Sequence, residues 1–148
     1  MRLWHKKLIS VLPNTQLLSQ WRELNCIAKN IQVSGAPNHI LVNKILDYNL
    51  MYFVAYTKLV LTELDKRNFD IKETTLKKFL SYINISQDYF NSVGMSFSNI
   101  YKYWHNDRYL IQCFYNLQEK SVCFTVTLYD CGGISEEEWN KIDNFYNK

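Results

Sequence analysis

Apolar side chains recur at helical spacing over most of this chain of 148 residues. The clearest stretch begins near Asn14, where the apolar positions fall at i, i+1, i+4, i+7 and i+11: Leu17, Leu18, Trp21, Leu24 and Ala28. This stripe predicts a helix that Asn14 caps and that runs to about Lys29. Arg22 and Glu23 flank the stripe, so both are expected at its edge near solvent.

The same periodicity predicts a last helix near the chain end and further helices over residues 39–46, 49–68, 73–82 and 106–119. Residues 34–38 contain Gly and Pro and form the clearest break in the first half. Ser135 and Glu138 have the spacing of a capping box at the start of the last helix. Residues 83–98 favour neither helix nor strand.

Residues 121–129 alternate between apolar and polar positions, a pattern typical of a strand. A lone strand is not stable, so it needs a partner, either residues 93–103 or another copy of the chain. The predicted fold class is therefore mainly α, a compact helical bundle with a short β element near 121–129. We expect one domain over 1–148, with a helical core in 1–120 followed by the extra strand and a C-terminal helix.

Composition supports a helical protein and narrows the functional classes. Four Gly and two Pro are few, which argues against an all-β fold with many turns. No apolar run approaches the ~18 residues that span a bilayer, and the chain start lacks the pattern of a signal peptide. The four cysteines form no C-x-x-C pair, which argues against zinc. We expect a cytoplasmic protein with no membrane association, no metal and no organic cofactor.

Positive charge is concentrated in the first half of the chain. Residues 1–80 contain twelve Lys or Arg and six Asp or Glu, a balance of +6, whereas residues 81–148 contain five and eight, a balance of −3. A basic half in a nearly neutral protein suits contact with nucleic-acid phosphates. A solvated surface with a chance asymmetry explains the same charges equally well.

The first residues and the first helix carry the groups of an imine-forming site. The α-amine of a chain terminus has a pKa of ~7.7–8.0, against ~10.4 for a lysine side chain, so it is the better nucleophile at neutral pH. If the terminus folds back against the helix, the Met1 amine, the Glu23 carboxylate and the guanidinium groups of Arg2 and Arg22 meet. The carboxylate can then stabilise a cationic imine and move protons, and the arginines can hold phosphates.

Several stretches resemble the pyrimidine-dimer DNA glycosylase family, which includes the phage ultraviolet endonuclease and small bacterial proteins. The resemblance rests on Met1-Arg2-Leu3-Trp4-His5, Leu17-Leu18, Trp21-Arg22-Glu23-Leu24, His39, Asn43 and the segment from Glu63 to Leu76. It covers residues 1–80 well and is partial to about residue 120. Residues 121–148 have no recognisable counterpart.

The resemblance implies an all-helical DNA repair enzyme that acts on damaged double-stranded DNA, above all at ultraviolet pyrimidine dimers. The implied chemistry is a glycosylase step coupled to strand cleavage at the resulting abasic site. By resemblance the catalytic residues are Met1, through its α-amine, and Glu23. The DNA-binding residues are Arg2, Arg22 and His39. Such a protein is associated with the nucleoid when it is bound to DNA.

The chain departs from the family pattern at three points. Arg2 is bulky, so Met1 is expected to remain as the terminal residue. Cys26 stands where the phage enzyme has a further arginine, and Pro37-Asn38 stands where bacterial relatives have Arg-Lys. Both losses remove cations that bind phosphate, so the resemblance supports the reaction class better than the substrate.

Other interpretations fit the same residues. The scaffold suits a glycosylase for a different lesion, or a DNA-binding protein without catalytic activity. Residues 121–148 suit an interaction protein that forms oligomers. Trp4 and His5 are interpreted as packing residues that anchor the terminus, and His39 fits either a DNA contact or a cap at a helix start.

Overall fold

The computed structural model describes residues 1–123 and 132–148, and this part of the chain is mainly helical and contains no strand. Its α-helices are α1 (Asn14–Ser34), α2 (Leu50–Lys66), α3 (Glu73–Tyr82), α4 (Gln87–Ser92), α5 (Asp107–Val122) and α6 (Glu136–Tyr146), and its 3₁₀ helices are Lys6–Val11 and Asn43–Asp47. The prediction of a mainly α fold is confirmed. None of the described helices is long and apolar enough to cross a bilayer.

Helix α1 begins where the apolar stripe predicts, but a different residue stands at its cap. Pro13 occupies the N-cap position and makes no side-chain cap bond, so the prediction that Asn14 caps the helix was wrong. The Asn14 side-chain oxygen instead accepts a hydrogen bond of 3.0 Å from Arg67. At its other end α1 continues past Lys29, and Gly35 then ends it in the left-handed conformation (φ +77°) that favours glycine.

The shorter elements agree with the sequence patterns in part. The capping box of α6 is confirmed, since the Ser135 hydroxyl accepts from the Glu138 amide at 3.3 Å and the Glu138 carboxylate accepts from the Ser135 amide at 3.0 Å. The segment 83–98, which showed no clear pattern, contains the short helix α4. The predicted helix over 39–46 is a turn followed by the second 3₁₀ helix.

The predicted strand over 121–129 is wrong at its start. Its first two residues belong to α5, which ends at Val122, and the Cys123 amide bonds to the Glu119 carbonyl at 2.9 Å. A strand needs a neighbouring strand for its backbone groups, whereas here the helix satisfies them locally. The remainder of the predicted strand falls on residues 124–129, which lie outside the described residues.

The core lies where α1 packs against α2 and α3. Trp21 of α1 and Phe53 of α2 contact the Phe79 ring of α3, with ring centroids 5.5 and 5.7 Å from it. A second contact joins α5 and α6, where Phe114 stacks on Tyr146 with centroids 3.8 Å apart. Helix α6 also packs on the first 3₁₀ helix, so the first residues of the chain are covered by several elements.

Arg67, directly after α2, joins that helix to the chain ahead of α1. Its guanidinium group donates to the Glu63 carboxylate at 2.8 Å, the Leu12 carbonyl at 2.6 Å and the Ser10 carbonyl at 3.1 Å. The pair Lys66-Arg67 is typical of a solvated helix end, but the Arg67 side chain is only 20% exposed. Arg67 therefore acts as a structural bridge.

We expect Arg67→Ala to lower the free energy of unfolding by about 2–3 kcal/mol, because the Leu12 and Ser10 carbonyls and the Glu63 carboxylate lose a charged donor. Lys66→Ala is the matched control, since the Lys66 side chain is exposed and makes no hydrogen bond or ion pair with the described residues. Its effect should stay within about 0.5 kcal/mol. Urea unfolding followed by circular dichroism measures both variants. Equal losses would contradict the bridging role.

Candidate active site

The first residues of the chain run through the core as an irregular segment, and helix side chains hold their backbone groups. The Gln20 side chain of α1 accepts from the Trp4 amide at 2.8 Å and donates to the Arg2 carbonyl at 3.0 Å. About one turn later on α1, the Glu23 carboxylate accepts from the Arg2 amide at 3.3 Å. Arg2 is therefore fixed on both sides of its backbone by one helix.

Three further side chains, from Tyr56, His105 and Tyr109, bind the backbone of the same segment. Together with Gln20 and Glu23 they form what we call the N-terminal clamp. The Tyr56 hydroxyl donates to the Trp4 carbonyl at 2.6 Å, the Tyr109 hydroxyl donates to the Leu3 carbonyl at 2.5 Å, and the Lys6 amide donates to Nδ1 of His105 at 3.0 Å. These partners come from α1, α2, α5 and the turn before α5. Because buried backbone groups without a partner are costly, the clamp determines where the first residues lie.

Met1 lies at the surface end of the clamped segment and is 37% exposed. Standard bond lengths place successive backbone nitrogens no more than about 3.6 Å apart. The Met1 amine is therefore within about 7 Å of the Glu23 oxygen that the Arg2 amide contacts. The predicted neighbours Met1, Arg2 and Glu23 are brought together by the backbone of the clamped segment.

The two arginines of the predicted site line different pockets. The Arg2 guanidinium packs over the Trp4 ring, 5.2 Å from its centroid, and lines a pocket of about 340 Å³ with side chains of α5. Arg22 is exposed and lines a second pocket, of about 320 Å³, between α1 and α3. Glu23 follows Arg22 in α1 and accepts from the Arg2 amide, so it is next to one lining residue of each pocket.

His39 lies in the loop after α1 and caps its own turn. Its Nδ1 accepts from the Leu41 amide at 3.2 Å, and its amide donates to the Asn43 side chain at 3.2 Å. Among the contacts of the described residues, none joins His39 to the clamp. The prediction that His39 caps a helix start was wrong, because Val42 holds the N-cap position of the second 3₁₀ helix and His39 caps only the turn before it. A DNA contact of His39 stays a prediction.

His5 and His105 form a buried stacked pair within the clamped region, with ring centroids 5.1 Å apart. Nδ1 of His5 accepts from the Lys7 amide at 3.2 Å, just as Nδ1 of His105 accepts from the Lys6 amide. Both rings are therefore neutral with the proton on Nε2, and neither Nε2 has a partner among the described residues. Burial lowers the pKa of His5 from 6.5 to about 4 and lowers the pKa of His105 as well.

Sequence patterns point to Glu23 and the arginines but miss most of the clamp. Gln20 gives one usable signal, because it is polar yet falls on the buried face of α1 between Leu17 and Leu24. A buried amide side chain needs hydrogen-bond partners, and the clamped segment supplies them. Tyr109 gives no such signal, since its partner lies 106 residues earlier in the chain. Within the described ranges, no group of three or more His, Cys, Asp or Glu side chains is arranged to hold a metal ion.

The clamp predicts opposite effects for two buried tyrosines. Tyr56 and Tyr101 are both fully buried, but the Tyr101 hydroxyl has no partner among the described residues. We expect Tyr56→Phe to lower the free energy of unfolding by about 1–3 kcal/mol, because the Trp4 carbonyl loses its donor. Tyr101→Phe should leave stability unchanged or raise it. Chemical unfolding measures both, and equal costs would contradict the clamp.

The folded chain should also lose stability in acid, because His5 is buried in the clamped segment. The pKa of His5 is about 4 in the folded chain and 6.5 when unperturbed, so the unfolded state binds more protons between these values. The stabilisation is complete above about pH 6.5 and is lost as the pH falls through about 4. The free energy of unfolding, measured across this range, should therefore decrease as the pH is lowered. His5→Asn, which does not titrate, should show a shallower fall, and an unchanged slope would contradict this role.

Comparison with known proteins connects this geometry to a family. A family model described as pyrimidine dimer DNA glycosylase matches residues 1–77, just over half of the 148 residues. Searches among curated proteins and among solved structures found no match. The matched segment contains Met1, Arg2, Arg22 and Glu23 together with α1 and α2.

Proposed function

The chain belongs to the pyrimidine dimer DNA glycosylase family, and we propose that it excises damaged pyrimidines from double-stranded DNA and cleaves the resulting abasic site through its terminal amine. The observation that carries the proposal is the 3.3 Å bond between the Arg2 amide and the Glu23 carboxylate, made by a segment fixed by the clamp. This bond holds a carboxylate beside the terminal residue. Pyrimidine dimers are the proposed lesion.

The first step is attack of the neutral Met1 amine on the sugar C1′ of the damaged nucleotide. The bond between C1′ and the base breaks, and the base leaves with the electron pair and takes up a proton. The sugar ring then opens, which gives a protonated imine between C1′ and the Met1 nitrogen and leaves the ring oxygen as a hydroxyl. Glu23 stabilises the positive charge and exchanges the protons.

Strand cleavage follows from the same imine. Removal of a C2′ proton by Glu23 sends an electron pair toward the cationic imine, and the phosphate on C3′ leaves with the electrons of its C–O bond. Water then hydrolyses the imine, which restores the amine. Arg2 and Arg22 bind backbone phosphates near this sugar, and His39 lies at the DNA surface.

A non-catalytic DNA-binding protein on the same scaffold is the second candidate. It is favoured by Cys26, which is exposed on the face of α1 that carries Arg22. The phage enzyme has an arginine at this position, so the neutral Cys26 is a departure from the catalytic family pattern. A glycosylase for another lesion retains the chemistry above and differs only in the base removed. Reductive trapping on DNA that contains an abasic site separates the catalytic candidates from the non-catalytic one.

The test is reductive trapping of the protein on DNA that contains an abasic site. With borohydride we expect a covalent complex, because hydride reduces the imine to a stable amine. Glu23→Gln should slow adduct formation by about 100-fold or more, since it removes a proton-transferring group. Salt-sensitive binding without any adduct would favour the non-catalytic candidate. Release of bases from irradiated DNA then identifies the lesion.

The control for the nucleophile changes the position of the terminal amine and leaves every side chain of the chain unaltered. A version with one extra residue ahead of Met1, verified by intact mass, carries its amine one residue further from Glu23. It should bind DNA as tightly as the unextended chain and form no adduct. Undiminished trapping of the extended version would contradict the assignment of the Met1 amine as the nucleophile.

A further inference from the structure

The pocket between α1 and α3 gathers cations from two helices. Arg22 and Lys29 reach it from α1 and Lys78 reaches it from α3. Trp21 and Tyr82 give it aromatic walls, and its volume is about 320 Å³. We call it the α1–α3 pocket. It is separate from the pocket that Arg2 lines.

None of these three cations has an ion-pair partner within the described part of the chain. None of Arg22, Lys29 and Lys78 takes part in a side-chain ion pair or hydrogen bond there, and no acidic residue lines the pocket. The preceding residue of α3, Lys77, differs, because its ammonium group pairs with Glu73 at 2.7 Å. Like charges held together repel, and a bound anion removes that repulsion.

Helix geometry places an uncharged side chain among the cations. Arg22, Cys26 and Lys29 stand at i, i+4 and i+7 of α1 and therefore share one face. Cys26 is exposed and also lines the pocket, so its thiol lies between two positive groups. Thr75, at the start of α3, adds a hydroxyl to the lining.

We propose that the α1–α3 pocket is a phosphate-binding subsite for the DNA backbone, in which Lys29 and Lys78 act together with Arg22. The inference rests on the proposed function, because Arg22 directly precedes Glu23 and a strand whose sugar lies at Glu23 carries its phosphates past this pocket. Two ammonium groups and a guanidinium group suit a phosphate, which accepts several charged hydrogen bonds at once.

The test compares two adjacent lysines of α3. Binding of a duplex with a tetrahydrofuran abasic analogue, which cannot form an imine, is measured by fluorescence anisotropy over a range of salt. Lys78→Ala should weaken binding roughly five- to tenfold near 0.1 M salt and reduce the slope of log K against log salt by about 0.9. Lys77→Ala removes the same charge from the neighbouring position and should leave the slope unchanged. Equal changes in both variants would overturn the subsite.

A second measurement uses Cys26 as a probe of the pocket's charge preference. The probe chain has Cys123→Ser and Cys131→Ser, so that Cys26 is the accessible thiol and Cys113 stays buried. Disulfide-forming reagents then modify the Cys26 thiol alone, and each reagent attaches a different group: a sulfonate, an ammonium or a methyl group. The sulfonate should weaken DNA binding at least tenfold, whereas the ammonium should maintain or strengthen it relative to the methyl group. Identical effects of all three reagents would count against a phosphate in this pocket.

Adduct formation separates this inference from the proposed function. Lys78→Ala should still give the borohydride-trapped complex when protein is saturating, because the amine and Glu23 are unchanged. If the unaltered chain forms no adduct while Lys78→Ala still lowers the salt slope, the reaction fails and the subsite stands. If the adduct forms and neither lysine matters for binding, the subsite fails alone.

Discussion

The structure depends on one constraint, which is that an irregular backbone segment placed in a core must find a partner for each of its polar groups. Residues 2–6 have no neighbouring strand among the described residues, so side chains supply those partners. Gln20 serves two of these groups from one position, and Tyr56 and Tyr109 reach carbonyls from other helices. The terminal segment can take this path only when the surrounding helices are assembled.

This constraint bears directly on the proposed chemistry. A lysine nucleophile sits on a flexible stem, and ordering that stem costs conformational entropy. An amine at the end of a clamped backbone has few bonds left to rotate, so its distance from Glu23 is set mainly by the fold. The same path keeps His5 and His105 buried and neutral, which removes two positive charges from beside the segment. In the proposed reaction, Met1 contributes the position of its amine more than the identity of its side chain.

The helices could be predicted from the sequence because their apolar periodicity is local, and the approach of the terminus to Glu23 followed from the motif in α1. The errors arose where a distant partner overrides a local preference. Asn14 is a good cap by type, but Arg67 uses its oxygen, and Arg67 resembled a solvated helix end. The alternation around Val122 favoured a strand, but the preceding turns of α5 already satisfy its backbone. No local pattern reveals that Tyr109 bonds to Leu3.

The family match and the clamp divide the chain differently. The match ends at residue 77, within α3, yet two clamp residues, His105 and Tyr109, lie beyond it. Without them the Lys6 amide and the Leu3 carbonyl would be buried and unpaired, at a cost of about 1–3 kcal/mol each. The matched half thus contains the groups that we propose to react, while α5 and the turn before it hold the segment that carries the Met1 amine. In the proposed reaction, residues outside the match therefore act as positioning residues, and a change in α5 alters the place of the Met1 amine through the backbone that α5 holds.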